Sequence, residues 1–150
     1  GDLHDRLAQI GAALLVKTLI DIENGIVQRT EQDDKKATYA PRMDKNFGEI
    51  NWRESAEKIF NLVRGLNPWP GAFTYTDGKL LKIWLTEILD KYTVEKEPGT
   101  ILKANDNKGL LVQTGQGIIK IKNLQLEGRK KMSVEDFLRG YDLEEGEKLG

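Results

Sequence analysis

Ala72-Phe73-Thr74-Tyr75-Thr76-Asp77-Gly78-Lys79, with the run that continues to Leu89, decides the fold class. Asp and Gly tolerate the positive φ that a tight turn between two twisted strands demands, so Thr76-Asp77-Gly78 reads as a hairpin turn. The flanking residues are rich in β-branched and aromatic types and predict strands over 72–75 and 79–89. Three more strand-like stretches follow. Residues 100–104 and 110–113 flank Asn105-Asp106-Asn107-Lys108-Gly109, and residues 118–126 follow Thr114-Gly115-Gln116-Gly117. Gly115-Gln116-Gly117 is read as a hairpin turn rather than a phosphate loop, because it lacks the Lys-Ser/Thr and the helix that such a loop needs. In the last strand Ile119, Ile121 and Asn123 alternate with Lys120, Lys122 and Leu124, which puts both lysines on one face. About five short strands separated by Gly-rich turns predict a mainly β fold with helices, an OB-like small antiparallel β-barrel whose closure would remove exposed edges.

Two helices are expected ahead of the barrel. Leu3, Leu7, Ile10, Leu14, Leu15, Thr18, Leu19 and Ile22 recur at spacings of three and four, with Asp2 placed to cap the start and Gly25 to end it. So broad an apolar stripe needs a partner surface, which is expected in a domain upstream. Residues 28–48 have no period, are polar and mixed in charge, and contain Pro41; they read as a linker. The second helix is expected to start at Asn51, with Glu54 as the capping-box acid, to carry Trp52, Ala56, Ile59, Phe60 and Val63 on its stripe, and to end at Gly65. Ser133-Val134-Glu135-Asp136 opens a third, short helix through Arg139, closed by Gly140.

At 150 residues, 39% hydrophobic and 31% charged, the chain fits one globular domain with an appendage. It contains no Cys, and His4 is its one histidine. Disulfides, thiolate zinc sites and multi-histidine metal sites are therefore excluded, and a reducing cytoplasm fits. His4 reads as a surface residue near a helix start. Neither a membrane span nor a basic-then-apolar leader is visible in the sequence.

The overall net charge is −1, but the charge is unevenly distributed. Between residues 99 and 131 lie Lys103, Lys108, Lys120, Lys122, Arg129, Lys130 and Lys131 against Asp106 and Glu127, a net of +5; residues 132–150 carry a net of −4. This pattern fits either a backbone-phosphate reader or a solvated sheet face with a solvated tail.

The stretch Arg64-Gly65-Leu66-Asn67-Pro68-Trp69-Pro70-Gly71-Ala72-Phe73-Thr74 resembles the junction that opens the C-terminal domain of the methionyl-tRNA formyltransferase family. Leu124-Gln125-Leu126-Glu127-Gly128-Arg129-Lys130-Lys131-Met132, with Asp136-Phe137-Leu138-Arg139-Gly140 behind it, is a second match. Tyr39-Ala40-Pro41-Arg42, Ile50-Asn51-Trp52 and Pro98-Gly99-Thr100-Ile101 fit in the same order. The resemblance implies that residues 1–27 are the terminal helix of a catalytic domain, 28–48 the linker and 49–150 a tRNA-binding β-barrel domain. It also implies a family that formylates the amino group of initiator methionyl-tRNA with 10-formyltetrahydrofolate as donor. The family's catalytic Asn, His and Asp and its Ser-Leu-Leu-Pro folate loop have no match here, so residues 1–150 are expected to be non-catalytic alone, with no catalytic, cofactor-binding or metal residue of their own. The expected partners are initiator methionyl-tRNA and the missing N-terminal catalytic domain, with no membrane and no metal.

The expected tRNA contacts are Arg42 and Lys45 in the linker, Lys120 and Lys122 on the strand, and Arg129, Lys130 and Lys131 at its exit. Trp69, held between two prolines, reads as a rigid packing anchor rather than a ligand-stacking ring. Two other readings stay open: the corresponding domain of a sugar-nucleotide formyltransferase, or a protein-interaction module that binds no RNA.

Overall fold

A computed structural model describes residues 1–89, 96–105 and 109–150. The chain divides into two compact units, Gly1–Arg42 and Met43–Gly150.

The first unit is built on α1 (Asp2–Glu23). Gly1 is its N-cap and no side chain caps it, so Asp2 lies inside the helix rather than before it. Asp2 and Asp5 still sit in the first turn, where the helix dipole favours negative charge. Gly25 takes φ +71 just past the end, as expected of a left-handed exit. Within this unit nothing covers the apolar stripe: Leu3, Leu7, Ile10, Leu14, Leu15, Leu19 and Ile22 are each more than half exposed. Between the helix and Arg42 the chain holds only a one-turn 3-10 helix, Asp34–Lys36, capped by Asp33.

In the second unit a 3-10 turn, Lys45–Gly48, leads to α2 (Ala56–Gly65). The helix starts at Ser55, whose hydroxyl accepts from the Lys58 N–H at 3.3 Å, four residues later than the Asn51 expected from sequence. The carbonyls of Trp52 and Glu54 both accept from the Gly115 N–H, at 2.8 and 3.0 Å, and this holds 51–54 as a turn. Asn51 caps that turn through Arg53 N instead. A Cβ on Gly115 would lie 1.9 Å from the Arg53 carbonyl oxygen, so only Gly allows this approach. Trp52 is buried, as expected, but outside the helix, with its indole N–H on Thr74 Oγ1 at 3.0 Å.

Strands β1 (Ala72–Thr76), β2 (Lys79–Leu89), β3 (Ile101–Asn105), β4 (Gly109–Gln113), β5 (Ile118–Leu126) and β6 (Met132–Ser133) follow. The five long ones fall within a residue or two of their expected positions. Asp77 and Gly78 both take positive φ at the β1–β2 turn, as the Asp-Gly signal requires. Of the expected turn between β3 and β4, residues 106–108 lie outside the described residues. The sheet is antiparallel in the order β1-β2-β5-β4-β3, with β6 on β5.

Among the described residues the edge strands β1 and β3 do not pair with each other; the C-terminal residues bridge them. Gly146 N–H donates to the Ile101 carbonyl and Ile101 N–H to that of Glu147, each at 2.8 Å, while Gly150 N–H donates to the Tyr75 carbonyl at 2.9 Å. Helix α2 packs on β2, and α3 (Val134–Leu138), capped by Ser133, packs on β5 and β6. The core between them holds Ile59, Val63, Leu81, Ile83, Leu110, Val112, Ile119, Ile121, Leu124, Val134 and Phe137.

Candidate nucleic-acid interface

The outer face of the sheet is set by the register of its strands. Phe73 on β1 lies opposite Lys82 on β2, and Lys82 lies opposite Gln125 on β5. The β2–β5 ladder then shifts twice: Ile83 faces Leu124, Leu85 faces Asn123 and Thr86 faces Ile121. Trp84 and Lys122 are the residues without an opposite number at these shifts. Such bulges bend a strand and re-aim its side chains. They also break the alternation read from sequence: Leu124 is fully buried and Asn123 faces outward beside Lys122, the reverse of the expected pair.

The seven expected contact residues fall into separate groups. Arg42 is the last residue of the first unit, and Lys45 opens the 3-10 turn of the second; both are exposed. Lys120 and Lys122 do share the outer face of β5, half-buried, but among acids. Lys122 Nζ pairs with Glu87 at 3.2 Å, and Lys120 faces Glu87 across the ladder. Lys120 also borders a depression shared with Glu97 and Glu145, which themselves hold Lys148 and Lys103. The Glu135 carboxyl lies below the usual carboxylate range because of a hydrogen bond from its own backbone N–H, a second from Ser133, and the charges of Lys122 and Lys120.

Arg129, Lys130 and Lys131 differ from this pair. They are exposed on the turn between β5 and β6, and among the described residues none has a carboxylate partner. The turn is held by its backbone: Arg129 N–H donates to the Leu126 carbonyl and Glu127 N–H to that of Leu80, both at 2.9 Å. Gln125 Nε2 donates to the Arg129 carbonyl at 2.8 Å, and Gln125 Oε1 accepts from Trp84 Nε1 at 3.1 Å. Lys131 Nζ stands 5.2 Å from the centre of the Trp84 ring, and Lys82 Nζ 5.8 Å from it.

The sequence reading missed Lys82 and Trp84. Their signal was the two-residue alternation of Leu80, Lys82 and Trp84 on β2, opposite a strand already read as basic. Trp69, expected as a rigid packing anchor at a domain junction, is 60% exposed. The segment it belongs to nevertheless docks on β2, because Asn67 Nδ2 donates to the Trp84 carbonyl at 3.1 Å. His4 is exposed on α1. Among the described residues no group of His, Cys, Asp and Glu could hold a metal ion, and no helix is long and apolar enough to cross a membrane.

Comparison with known proteins gives a consistent answer. The model of the formyl transferase C-terminal domain matches residues 42–142. The methionyl-tRNA formyltransferase of Halothermothrix orenii is 51% identical across the whole chain, which covers 49% of that protein; the enzyme of the same name from Acetivibrio thermocellus is 47% identical, with 48% of it covered. The chain thus spans about half the length of the curated relatives it matches. Among solved structures, a variant of HypX from Aquifex aeolicus superposes with a TM-score of 0.59 over 87% of this chain and 24% of that one, at 18% identity. HypX in complex with tetrahydrofolic acid gives 0.58 over 83% and 22%, also at 18% identity. At that identity the likeness carries the fold alone. With the junction motif, the basic turn and the strand order all in place, this chain belongs to the family of formyl transferase C-terminal domains.

Proposed function

We propose that residues 43–150 are the tRNA-binding part of a methionyl-tRNA formyltransferase, gripping initiator methionyl-tRNA through its sugar-phosphate chain. The carrying observation is the turn at Arg129, Lys130 and Lys131: three adjacent cations with no carboxylate partner among the described residues, whereas Lys58, Lys103, Lys122 and Lys148 of the same unit are each paired with a glutamate. Unpaired cations on a backbone-anchored turn suit phosphate oxygens, and such contacts fix orientation while carrying little sequence information. Lys120 and Lys122, further along the same face, would extend the track if RNA displaces their acids, and Arg42 and Lys45 would add contacts from the linker.

In this reading formyl transfer from 10-formyltetrahydrofolate to the methionyl amino group happens outside residues 1–150, in a cytoplasmic enzyme. Formyl transfer to an amine needs a general base and stabilisation of an oxyanion, and the one histidine here is exposed on α1. Helix α1 is then the last helix of the catalytic domain, which supplies the surface its apolar stripe lacks.

The test is a titration of the chain with an initiator tRNA transcript at several salt concentrations. Replacing Arg129, Lys130 and Lys131 together by Ala should lower the slope of log K against log salt by up to about 0.9 for each phosphate that is no longer neutralised. Unchanged affinity and slope would reject the turn as the RNA-binding element. Formylation of charged initiator tRNA by the 150-residue chain alone would overturn the division of labour.

A further inference from the structure

We propose that Lys82, Lys131 and Trp84 form a phosphate clamp on the outer face of the sheet, in which the indole ring holds two ammonium groups for the backbone of the bound RNA. The clamp deepens the RNA-binding reading above and rests on it. Lys82 and Lys131 are the binding residues, and Trp84 positions them.

Trp84 is set for this task by its place in the fold. It occupies the extra position where β2 slips against β5, so the bulge aims its side chain away from the regular ladder. Two hydrogen bonds then hold the residue. Its indole N–H donates to Gln125 Oε1, and its main-chain carbonyl accepts from Asn67 Nδ2. Gln125 in turn donates to the Arg129 carbonyl, so one side chain ties the ring to the basic turn.

The two cations share this ring although they are 49 residues apart in sequence, at 5.8 and 5.2 Å from its centre. Neither has a carboxylate within ion-pair distance among the described residues. Two like charges drawn to one aromatic ring, with no carboxylate paired to either, repel each other until an anion arrives. Four other lysines of the unit are paired, in Lys58–Glu54, Lys103–Glu145, Lys122–Glu87 and Lys148–Glu97. The ring limits the rotamers of both lysines before binding, which reduces the ordering cost when the RNA docks. Continuity with Arg129 and Lys130 on the same turn favours an extended polyanion over a single small anion.

The experiment titrates the full 150-residue chain with an initiator tRNA transcript across a salt series. Lys82→Gln should lower the salt slope by about 0.9, and Lys82→Gln with Lys131→Gln by about twice that. Trp84→Leu should weaken binding by roughly two- to fivefold, the scale of an exposed cation–π contact, and Trp84→Phe should restore most of it. The effects of Trp84→Leu and Lys131→Gln should be less than additive. Lys58→Gln, whose parent ammonium sits on Glu54, should leave the slope unchanged.

Wild-type protein with no salt-sensitive RNA binding overturns the clamp together with the function it rests on. Binding that is weakened by the Arg129, Lys130 and Lys131 replacements, but keeps its slope in Lys82→Gln and its affinity in Trp84→Leu, overturns the clamp alone. Competition by polyglutamate as effective as by RNA of equal charge overturns the assignment to RNA. A purely structural Trp84 would lower the melting temperature in Trp84→Leu without moving the salt dependence. Lys82→Gln, at a half-buried position on the outer face, keeps the test decisive if that variant fails to fold.

Discussion

Thr74 and Thr86 are both buried in the sheet, yet their hydroxyls stand in opposite situations. Thr74 Oγ1 accepts the indole N–H of buried Trp52 at 3.0 Å, whereas Thr86 Oγ1 has no hydrogen-bond partner among the described residues. The same nearly isosteric change should therefore act in two directions. Thr74→Val strands the Trp52 N–H and should cost about 1–3 kcal/mol. Thr86→Val removes a buried hydroxyl with nothing to bond and should be neutral or stabilising by up to about 1 kcal/mol. Urea unfolding of the two variants beside wild type checks both signs. Nothing in the sequence separates these threonines. Both sit in strand-like runs, and only the packing of Trp52 across the sheet tells them apart.

At the scale of elements, the start of α2 shows which local signals survive folding. Asn51 and Ser55 are both good caps, each followed three residues later by a residue compatible with a helix start. Ser55 prevails because the Trp52 and Glu54 carbonyls are taken by Gly115 from another turn and cannot serve a helix. Ser55→Ala should lower stability by about 1 kcal/mol, while Asn51→Ala should cost less; thermal melts of the two variants would rank them. A second interaction joins the β1–β2 turn to the end of α3. Tyr141 stacks on Phe137 at 4.9 Å, and its hydroxyl donates to Asp77 at 3.0 Å. Burial first, and then the Asp77 hydrogen bond and charge, raise the Tyr141 pKa above its ordinary value of 10.0. A group raised in the folded state contributes stability that is present below the unfolded pKa and disappears as pH rises through the folded one. The stability of wild type over Tyr141→Phe should hold at neutral pH and shrink as pH climbs past 10.0, read from denaturation midpoints at a series of alkaline pH values.

For the whole molecule, the management of the open sheet edges dominates. Leu149 is 3% exposed, and its N–H donates to the Gly99 carbonyl at 3.0 Å within the tail that bridges β3 to β1. Leu149→Ala should cost about 2–5 kcal/mol, the range for a truncated core leucine, and should lower the thermal midpoint although the residue stands next to last. A destabilisation below about 1 kcal/mol would mean that the tail is not part of the cooperative core. The charge distribution is also a whole-molecule property. Residues 99–131 carry a net of +5 in sequence, but Lys103 and Lys122 are neutralised by Glu145 and Glu87. Arg129, Lys130 and Lys131 keep no carboxylate partner among the described residues, and under the proposed RNA binding the salt titrations should find their effect there.

The sequence by itself determined the strands, the turns at Asp77-Gly78 and Gly115-Gln116-Gly117, the third helix and the family, because these rest on short-range chemistry: alternation, Asp-Gly and Gly-x-Gly turns, a Ser cap, and motifs read in order. The tertiary structure alone decided where α2 begins, that Leu124 and Asn123 exchange faces, which lysines are neutralised, and that Lys82 and Lys131 meet on Trp84. Each of these depends on the register between strands distant in sequence. A slip of one residue turns every following side chain to the other face, and no local pattern records it.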